Sequence, residues 1–176
     1  DPPLNLSLVA ESTREALGEV SAEIVIEPGR YFVADAGVLL TRVNTVKETP
    51  ETVVSGVDAG MNTLIRPALY DAYHPIRTVA PEVTDREERE VTVAGPICES
   101  ADVFCTNRQL PAPVRGDLLA IGNAGAYGWE MSSQYNSHPR APIVGVDNDE
   151  EFLVRERETL ADLTRGEVEM DEYESL

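Results

Sequence analysis
Lysine is nearly missing from this chain: Lys47 is the only one, against thirteen arginines. Chemistry that needs a lysine amine therefore has a single candidate here. Positive charge as a whole is scarce, with 14 basic against 32 acidic residues and a net charge of −18. Such a surface repels phosphate backbones, so no nucleic-acid partner is expected. Cysteine is limited to Cys98 and Cys105, too few for a disulfide framework and without metal-ligand spacing. A reducing, cytoplasmic compartment is the expectation, and no metal. No apolar run approaches the roughly 20 residues of a membrane span. The opening DPPLNLSLVAES has no basic region of the kind that starts a secretion signal. Neither a membrane partner nor a leader is expected. What remains is ordinary: 176 residues, 42% hydrophobic and 26% charged, enough for a folded domain with a real core.

Few lysines among many carboxylates is a composition similar to that of proteins from salt-loving cells. Carboxylates bind water and cations, and high salt screens their mutual repulsion. A halophilic protein is the expectation, with an acidic mesophilic one as the plain alternative. Residues 147–176 hold twelve carboxylates and three arginines, half of the net charge.

Along the chain, residues 8–18 (LVAESTREALG) carry a helical pattern that Gly18 can stop. Glu23 to Ile26 reads as a short buried strand running into the Pro28-Gly29 turn. A helix, a strand and a loop of this kind make a unit typical of an α/β barrel. After Tyr31 the texture changes. GVLLTRVNTVKET, ETVVSGVDAG, REVTVAGPI, GDLLAIGN, APIVGVD and EFLVRERE are β-rich runs separated by turn residues, which suggests a mainly β sandwich or barrel. The runs around Asn148-Asp149-Glu150 suggest a hairpin, and ETLADLTR (158–165) a closing helix. One helix and one strand cannot close a barrel of eight units. The expectation is the C-terminal piece of a longer protein: 1–36 the tail end of an α/β barrel, 37–166 a β-domain, 167–176 an acidic, disordered tail.

Four constellations carry candidate chemistry. In Glu27-Pro28-Gly29-Arg30, glycine admits close backbone approach and the arginine can clamp a carboxylate or phosphate. In Arg66-Pro67-Ala68-Leu69-Tyr70, proline suits a helix start, and the guanidinium and phenol lie four residues apart on one face. In Gly95-Pro96-Ile97-Cys98-Glu99-Ser100, a thiol beside a carboxylate could supply a proton donor and an ammonium acceptor. In Gly125-Ala126-Tyr127-Gly128, flanking glycines strip bulk from around one tyrosine. Each has a bland alternative: a surface turn, helix packing, a buried thiol, a core tyrosine.

In this order and at these separations the motifs EPGR, RPALYDAYH, GPICESADVF, GAYG and SSQYNSHPRAPIV resemble the diaminopimelate decarboxylase family. These are alanine-racemase-like, fold-type III enzymes dependent on pyridoxal 5'-phosphate. The resemblance covers about 120 residues and implies the family's C-terminal β-sandwich or barrel domain. It implies cofactor contacts for Glu27, Pro28, Gly29, Arg30 and Tyr127, and substrate contacts for Arg30, Arg66, Tyr70, Glu99 and Tyr127. It implies that Cys98 is the catalytic proton donor. Cys98 and Glu99 would reach a neighbouring active site, hence a homodimer. The implied substrate is meso-diaminopimelate and the implied product L-lysine, because an amino-acid head group at the far end suits Arg30, Arg66, Tyr70 and Glu99. Ala101, Gln134 and His138 depart mildly from the family's usual Gly, Asn and Arg. The family's Schiff-base lysine has no counterpart here. Lys47, in TRVNTVKETPE, reads as a solvated surface residue, since a Schiff-base lysine must be desolvated. The chain alone is expected to be inactive. Two alternatives stay open: a non-catalytic regulatory homologue, and a decarboxylase of another diamino acid such as ornithine, arginine or lysine.

Overall fold
The structure, a computed structural model, describes residues 4–168. Its centre is a six-stranded sheet built from β1 (Leu39–Glu48), β2 (Val53–Val57), β3 (Ile76–Val79), β4 (Glu88–Ala94), β5 (Val103–Pro111) and β6 (Leu118–Ile121). The strand order is β3-β6-β1-β2-β4-β5. All neighbours are antiparallel except β2 and β4, which run parallel. β1 is long because it serves two partners: Leu39–Arg42 pair with β6, and Val43–Glu48 with β2, across a register shift at Val43. A bulge at such a point sharpens twist and turns a sheet back on itself. The edge strands accordingly approach, with the Thr78 hydroxyl of β3 donating to the Pro111 carbonyl of β5 at 3.0 Å. The result is a nearly closed, mainly β barrel.

Alternation places the core. Val53, Ser55 and Val57 point inward from β2, Val91 and Val93 from β4, and Leu119 and Ile121 from β6. With Val43, Leu64, Ile76, Phe104 and Leu110 they form one apolar cluster. β3 and β5 escape the sequence pattern for physical reasons. β3 has only four residues, and β5 carries Thr106-Asn107-Arg108-Gln109 in its middle, where Asn107 takes a positive φ of 49° and shifts the register.

A separate hairpin joins β7 (Ile143–Asp147) to β8 (Glu150–Arg155). Its two-residue turn, Asn148-Asp149, has φ of 48° and 68°, the left-handed pair that matches strand twist. The short helix α4 (Leu160–Leu163) follows, started by the reciprocal cap of Thr159 and Asp162. Residues 169–176, most of the expected tail, lie outside the described residues.

The N-terminal segment contains α1 (Leu6–Leu17), capped by Asn5 and ending at Gly18, and the single turn α2 (Arg30–Val33). The expected strand Glu23–Ile26 is corrected: the run is not hydrogen-bonded to any strand, and Ile24, Val25 and Ile26 are exposed. A parallel barrel strand exists through its neighbours, and this segment has none among the described residues.

Candidate active site
The site begins where the N-terminal segment meets the sheet. After Gly29 the chain winds through α2 and a further turn, Ala34–Ala36, into β1. This stretch docks on the loop 122–128: the Ala124 N–H donates to Gly37 and the Gly125 N–H to Ala34, at 2.9 and 3.0 Å. A Cβ on Gly125 would collide with the Val33 carbonyl, so only glycine permits the approach. The Arg30 guanidinium donates to the Ala126 carbonyl at 3.3 Å. Tyr127 is held at a φ of 58°, a conformation a non-glycine residue adopts at a cost of roughly 1 kcal/mol or more. A Cβ on Gly29 would collide with its hydroxyl. EPGR and GAYG, 96 residues apart between Arg30 and Ala126, are thus one surface.

A second element reaches the same surface. The helix α3 (Arg66–Tyr70) starts with Pro67 in its first turn, and Arg66 lies 5.4 Å from the centre of the Tyr70 ring. Burial, then the charge of Arg30, pushes the Arg66 guanidinium below its ordinary pKa, against Tyr70 and Tyr127, which raise it. Two guanidiniums and two phenols therefore share one field. Arginine stays charged regardless, so the pair asks for an anion. The buried Nε of Arg66 has no hydrogen-bond partner. This donor set suits a carboxylate gripped by more than one cation.

Behind it stands His74, 1% exposed. Burial, and the charges of Arg30 and Arg66, push the imidazole pKa down against a bond to Gly122 that raises it. That bond joins Nδ1 to the Gly122 carbonyl at 2.9 Å, and Nε2 is buried without a partner.

Cys98 and Glu99 occupy a different loop, between β4 and β5, and both are exposed. The buried-thiol alternative therefore belongs to Cys105, whose burial raises its pKa. Glu99 lines an open cavity of about 410 Å³ with Met61, Asn62, Ile65, Ser133 and Tyr135. Asp102 ties the loop down. Its buried carboxylate accepts the backbone N–H groups of Ile97 and Met61, each at 2.6 Å. Through it the Cys98 loop is bonded to the turn at Gly60-Met61.

Of the residues singled out in the sequence, Gly29, Arg30, Arg66, Tyr70 and Tyr127 come together. Glu27 and Pro28 are exposed just before them. Cys98 and Glu99 belong to the separate loop between β4 and β5, and no described ion pair joins Glu99 to an arginine. Lys47 is exposed on β1, opposite Val54, outside this cluster. No group of metal ligands occurs among the described residues. Sequence reasoning missed His74 and Asp102. His74 bonds Gly122, 48 residues away, and Asp102 joins nearby Ile97 to Met61, 41 residues away; no local pattern records the distant contacts, although both residues fall inside the quoted motifs.

The pyridoxal-dependent decarboxylase C-terminal sheet domain matches residues 22–125. The diaminopimelate decarboxylase of Methanothermobacter thermautotrophicus is 55% identical over 142 residues, 81% of this chain and 33% of that protein. That of Pseudomonas fluorescens is 47% identical over 167 residues, 95% of this chain and 39% of that protein. The crystal structure of diaminopimelate decarboxylase from Helicobacter pylori complexed with L-lysine superposes with a TM-score of 0.81 at 39% identity, covering 100% of this chain and 42% of that one. The chain spans between a third and two-fifths of the length of these curated relatives.

Proposed function
The chain belongs to the pyridoxal-dependent decarboxylases, whose C-terminal sheet domain it carries, and on that premise we propose that it is part of a diaminopimelate decarboxylase. The reaction converts meso-2,6-diaminopimelate into L-lysine and carbon dioxide. The observation that carries the reading is the grouping of Arg30, Arg66, Tyr70 and Tyr127 into one anion-seeking surface. A simple diamine has no carboxylate for it. A molecule with an amino-acid group at each end does. The relatives' names and the L-lysine in a structural neighbour point the same way.

Pyridoxal phosphate supplies the electron sink into which the electrons of the broken carbon–carboxylate bond flow. The surface fits it in one respect: a glycine at position 29 leaves the Tyr127 hydroxyl room beside the EPGR backbone. Glu27 to Arg30 and Tyr127 would hold the cofactor. Its anchoring lysine is assigned to sequence outside these 176 residues, because the one lysine here, Lys47, is exposed on β1 and an anchoring lysine must be desolvated. Arg30 and Arg66 grip the distal carboxylate and Tyr70 packs against Arg66, so that binding energy from the remote end orients the reacting carbon. Glu99 receives the distal ammonium. The Cys98 Sγ–H delivers the proton to the carbon that has lost carbon dioxide. Cys98 and Glu99 are exposed and make no described hydrogen bond or ion pair to the arginine cluster, which leaves them free to serve the site of a partner subunit in a homodimer.

The exposed apolar residues of the N-terminal segment, Ile24 to Ile26 with Phe32 and Val33, support assigning residues 1–36 to the tail of an α/β barrel and 37–166 to the β-domain. A cytoplasmic, halophilic setting fits the acidity and the two free cysteines.

Assay of the full-length enzyme tests the substrate. Diaminopimelate should be turned over in preference to ornithine, arginine or lysine, and Arg66→Ala or Glu99→Asp should lower kcat/KM by about 2–3 kcal/mol with little change in cofactor affinity. Preference for a diamino acid with one carboxylate overturns the substrate. No turnover of any of them leaves the non-catalytic homologue.

A further inference from the structure
The loop that carries Cys98 and Glu99 has no helix or strand to hold it, and both residues are exposed. The Glu99 carboxylate reaches the Ala101 N–H only at 3.5 Å. The order of the loop comes instead from one buried side chain. The Asp102 carboxylate, 3% exposed, accepts the Ile97 N–H through Oδ2 and the Met61 N–H through Oδ1, each at 2.6 Å. Its backbone closes the loop as well. The Gly95 N–H donates to the Asp102 carbonyl at 2.9 Å, and the Asp102 N–H donates to the Glu99 carbonyl at 3.0 Å. Cys98 thus sits between two residues, Ile97 and Glu99, that Asp102 bonds directly.

Two glycines make room for this carboxylate. A Cβ on Gly95 would collide with both its oxygens, and one on Gly60 would lie 3.0 Å from Oδ2. No described ion pair involves Asp102, and the described partners of its side chain are all backbone N–H groups. Bonds of that kind to a carboxylate are about twice as strong as neutral ones. The same carboxylate shapes the cavity beside Glu99. Met61, which it holds, lines that cavity with Glu99 and Asn62, and the Asn62 carbonyl accepts the N–H of Ser133, another lining residue, at 2.8 Å.

We propose that Asp102 is the positioning residue for Cys98 and Glu99: by seating the Ile97 and Met61 N–H groups on one buried carboxylate, it fixes where the thiol and the ammonium acceptor stand. The role rests on the proposed reading of Cys98 as proton donor and Glu99 as ammonium acceptor. Proton delivery and head-group binding both depend on placement to a fraction of an ångström, and this loop has no other described side chain to supply it.

The test uses the full-length holoenzyme. Asp102→Asn keeps the side chain's shape but turns one acceptor into a donor facing an N–H. It should lower kcat about tenfold to a hundredfold and raise KM for diaminopimelate several-fold, while cofactor affinity moves less than about threefold. Slower proton delivery should also enlarge the effect of heavy water on kcat, because the Sγ–H exchanges with solvent. In a Cys98→Ala background, Asp102→Asn should leave kcat unchanged. Asp117→Asn, which weakens another buried carboxylate's bonds on the sheet rim, controls for lost stability and should alter none of these quantities. Kinetics like those of that control, an unchanged isotope effect, or an undiminished loss in the Cys98→Ala background overturn the proposal. Gly95→Ala, whose added Cβ strikes the same carboxylate, should repeat the changes if Asp102→Asn does not fold. A further measurement needs no variant. In the wild-type enzyme the Ile97 and Met61 amide protons should exchange with solvent at least about a hundredfold more slowly than unbonded amides, and exchange at the unbonded rate overturns the proposal. If another diamino acid proves to be the substrate, the substrate reading fails and the same ratios are read with that molecule. An enzyme that decarboxylates none has no proton step, and the proposed role falls with it.

Discussion

Two regions of the chain are similarly rich in apolar residues and end in opposite states. In the sheet, Val91, Val93, Leu119 and Ile121 are completely buried. In the N-terminal segment Val25, Ile26 and Phe32 are 72–75% exposed, and α1 has no buried residue. Both regions obey local rules: α1 has its Asn5 cap and its Gly18 stop, as β2 has its alternation. The difference lies in long-range partners. β2 and β4 meet across 38 residues at Val53 and Val91, whereas Glu23–Ile26 pairs with no strand among the described residues. Periodicity thus tells which face wants cover, while the cover itself comes from elsewhere in the chain or from another one.

The comparison breaks first at the core. Leu119→Ala should cost about 2–5 kcal/mol, because it removes a fully buried side chain and leaves a cavity. Ile26→Ser should stay within about 0.5 kcal/mol in this chain, as exposed substitutions do. Urea unfolding of both variants checks it. An Ile26→Ser cost approaching that of Leu119→Ala would mean that the segment is packed after all.

The same division decides what the sequence discloses. β1, β2, β4, β6 and the β7–β8 hairpin are legible because their alternation and turns are local, down to the Asn148-Asp149 pair. β3 is too short for a pattern, and β5 hides its strand period behind the bulge at Asn107. Site residues are legible where a motif is dense, as in EPGR and GAYG. His74 and Asp102 are invisible in that sense, because each bonds a backbone group more than 40 residues away, Asp102 in addition to nearby Ile97.

Electrostatics repeat the contrast, with a smaller effect. On the rim of the sheet, Arg86 and Asp117 form a pair in which both guanidinium nitrogens bond the carboxylate, and Asp117 is 8% exposed. Burial pushes the Asp117 pKa up, but the bond and charge of Arg86 and the Val114 N–H prevail and hold it below its ordinary value. A carboxyl depressed by folding stabilises above its unfolded pKa, about 3.9, and loses that contribution as pH falls through the folded value. Asp117→Asn should therefore cost about 1–3 kcal/mol at pH 7, and the gap from wild type should close progressively below pH 4. Unfolding free energies over a pH series measure it. A gap that persists at the lowest pH would show that shape, and not charge, is at stake.

At the periphery charge is unpaired, and the expected effect is smallest and most dependent on solvent. The hairpin tip sets Asp147 directly opposite Glu150, with Asp149 and Glu151 beside them, all exposed. Like charges opposed across strands are destabilising by a few tenths of a kcal/mol, and the whole chain adds self-repulsion at −18. The Debye length falls from about 10 Å at 0.1 M salt to about 3 Å at 1 M, below the reach of such pairs. Tm should therefore rise with sodium chloride into the molar range. Replacing Asp147 by Asn and Glu150 by Gln together should raise Tm at low salt and flatten the slope slightly, because the rest of the acidic surface still responds. The Asp117 pair, shielded in the rim, should contribute little to that slope. Thermal melts of wild type and the double variant across a salt series measure both effects. A Tm that is flat or falling up to 2 M would leave the acidity without a stabilising response to salt, and the halophilic reading would fall with it.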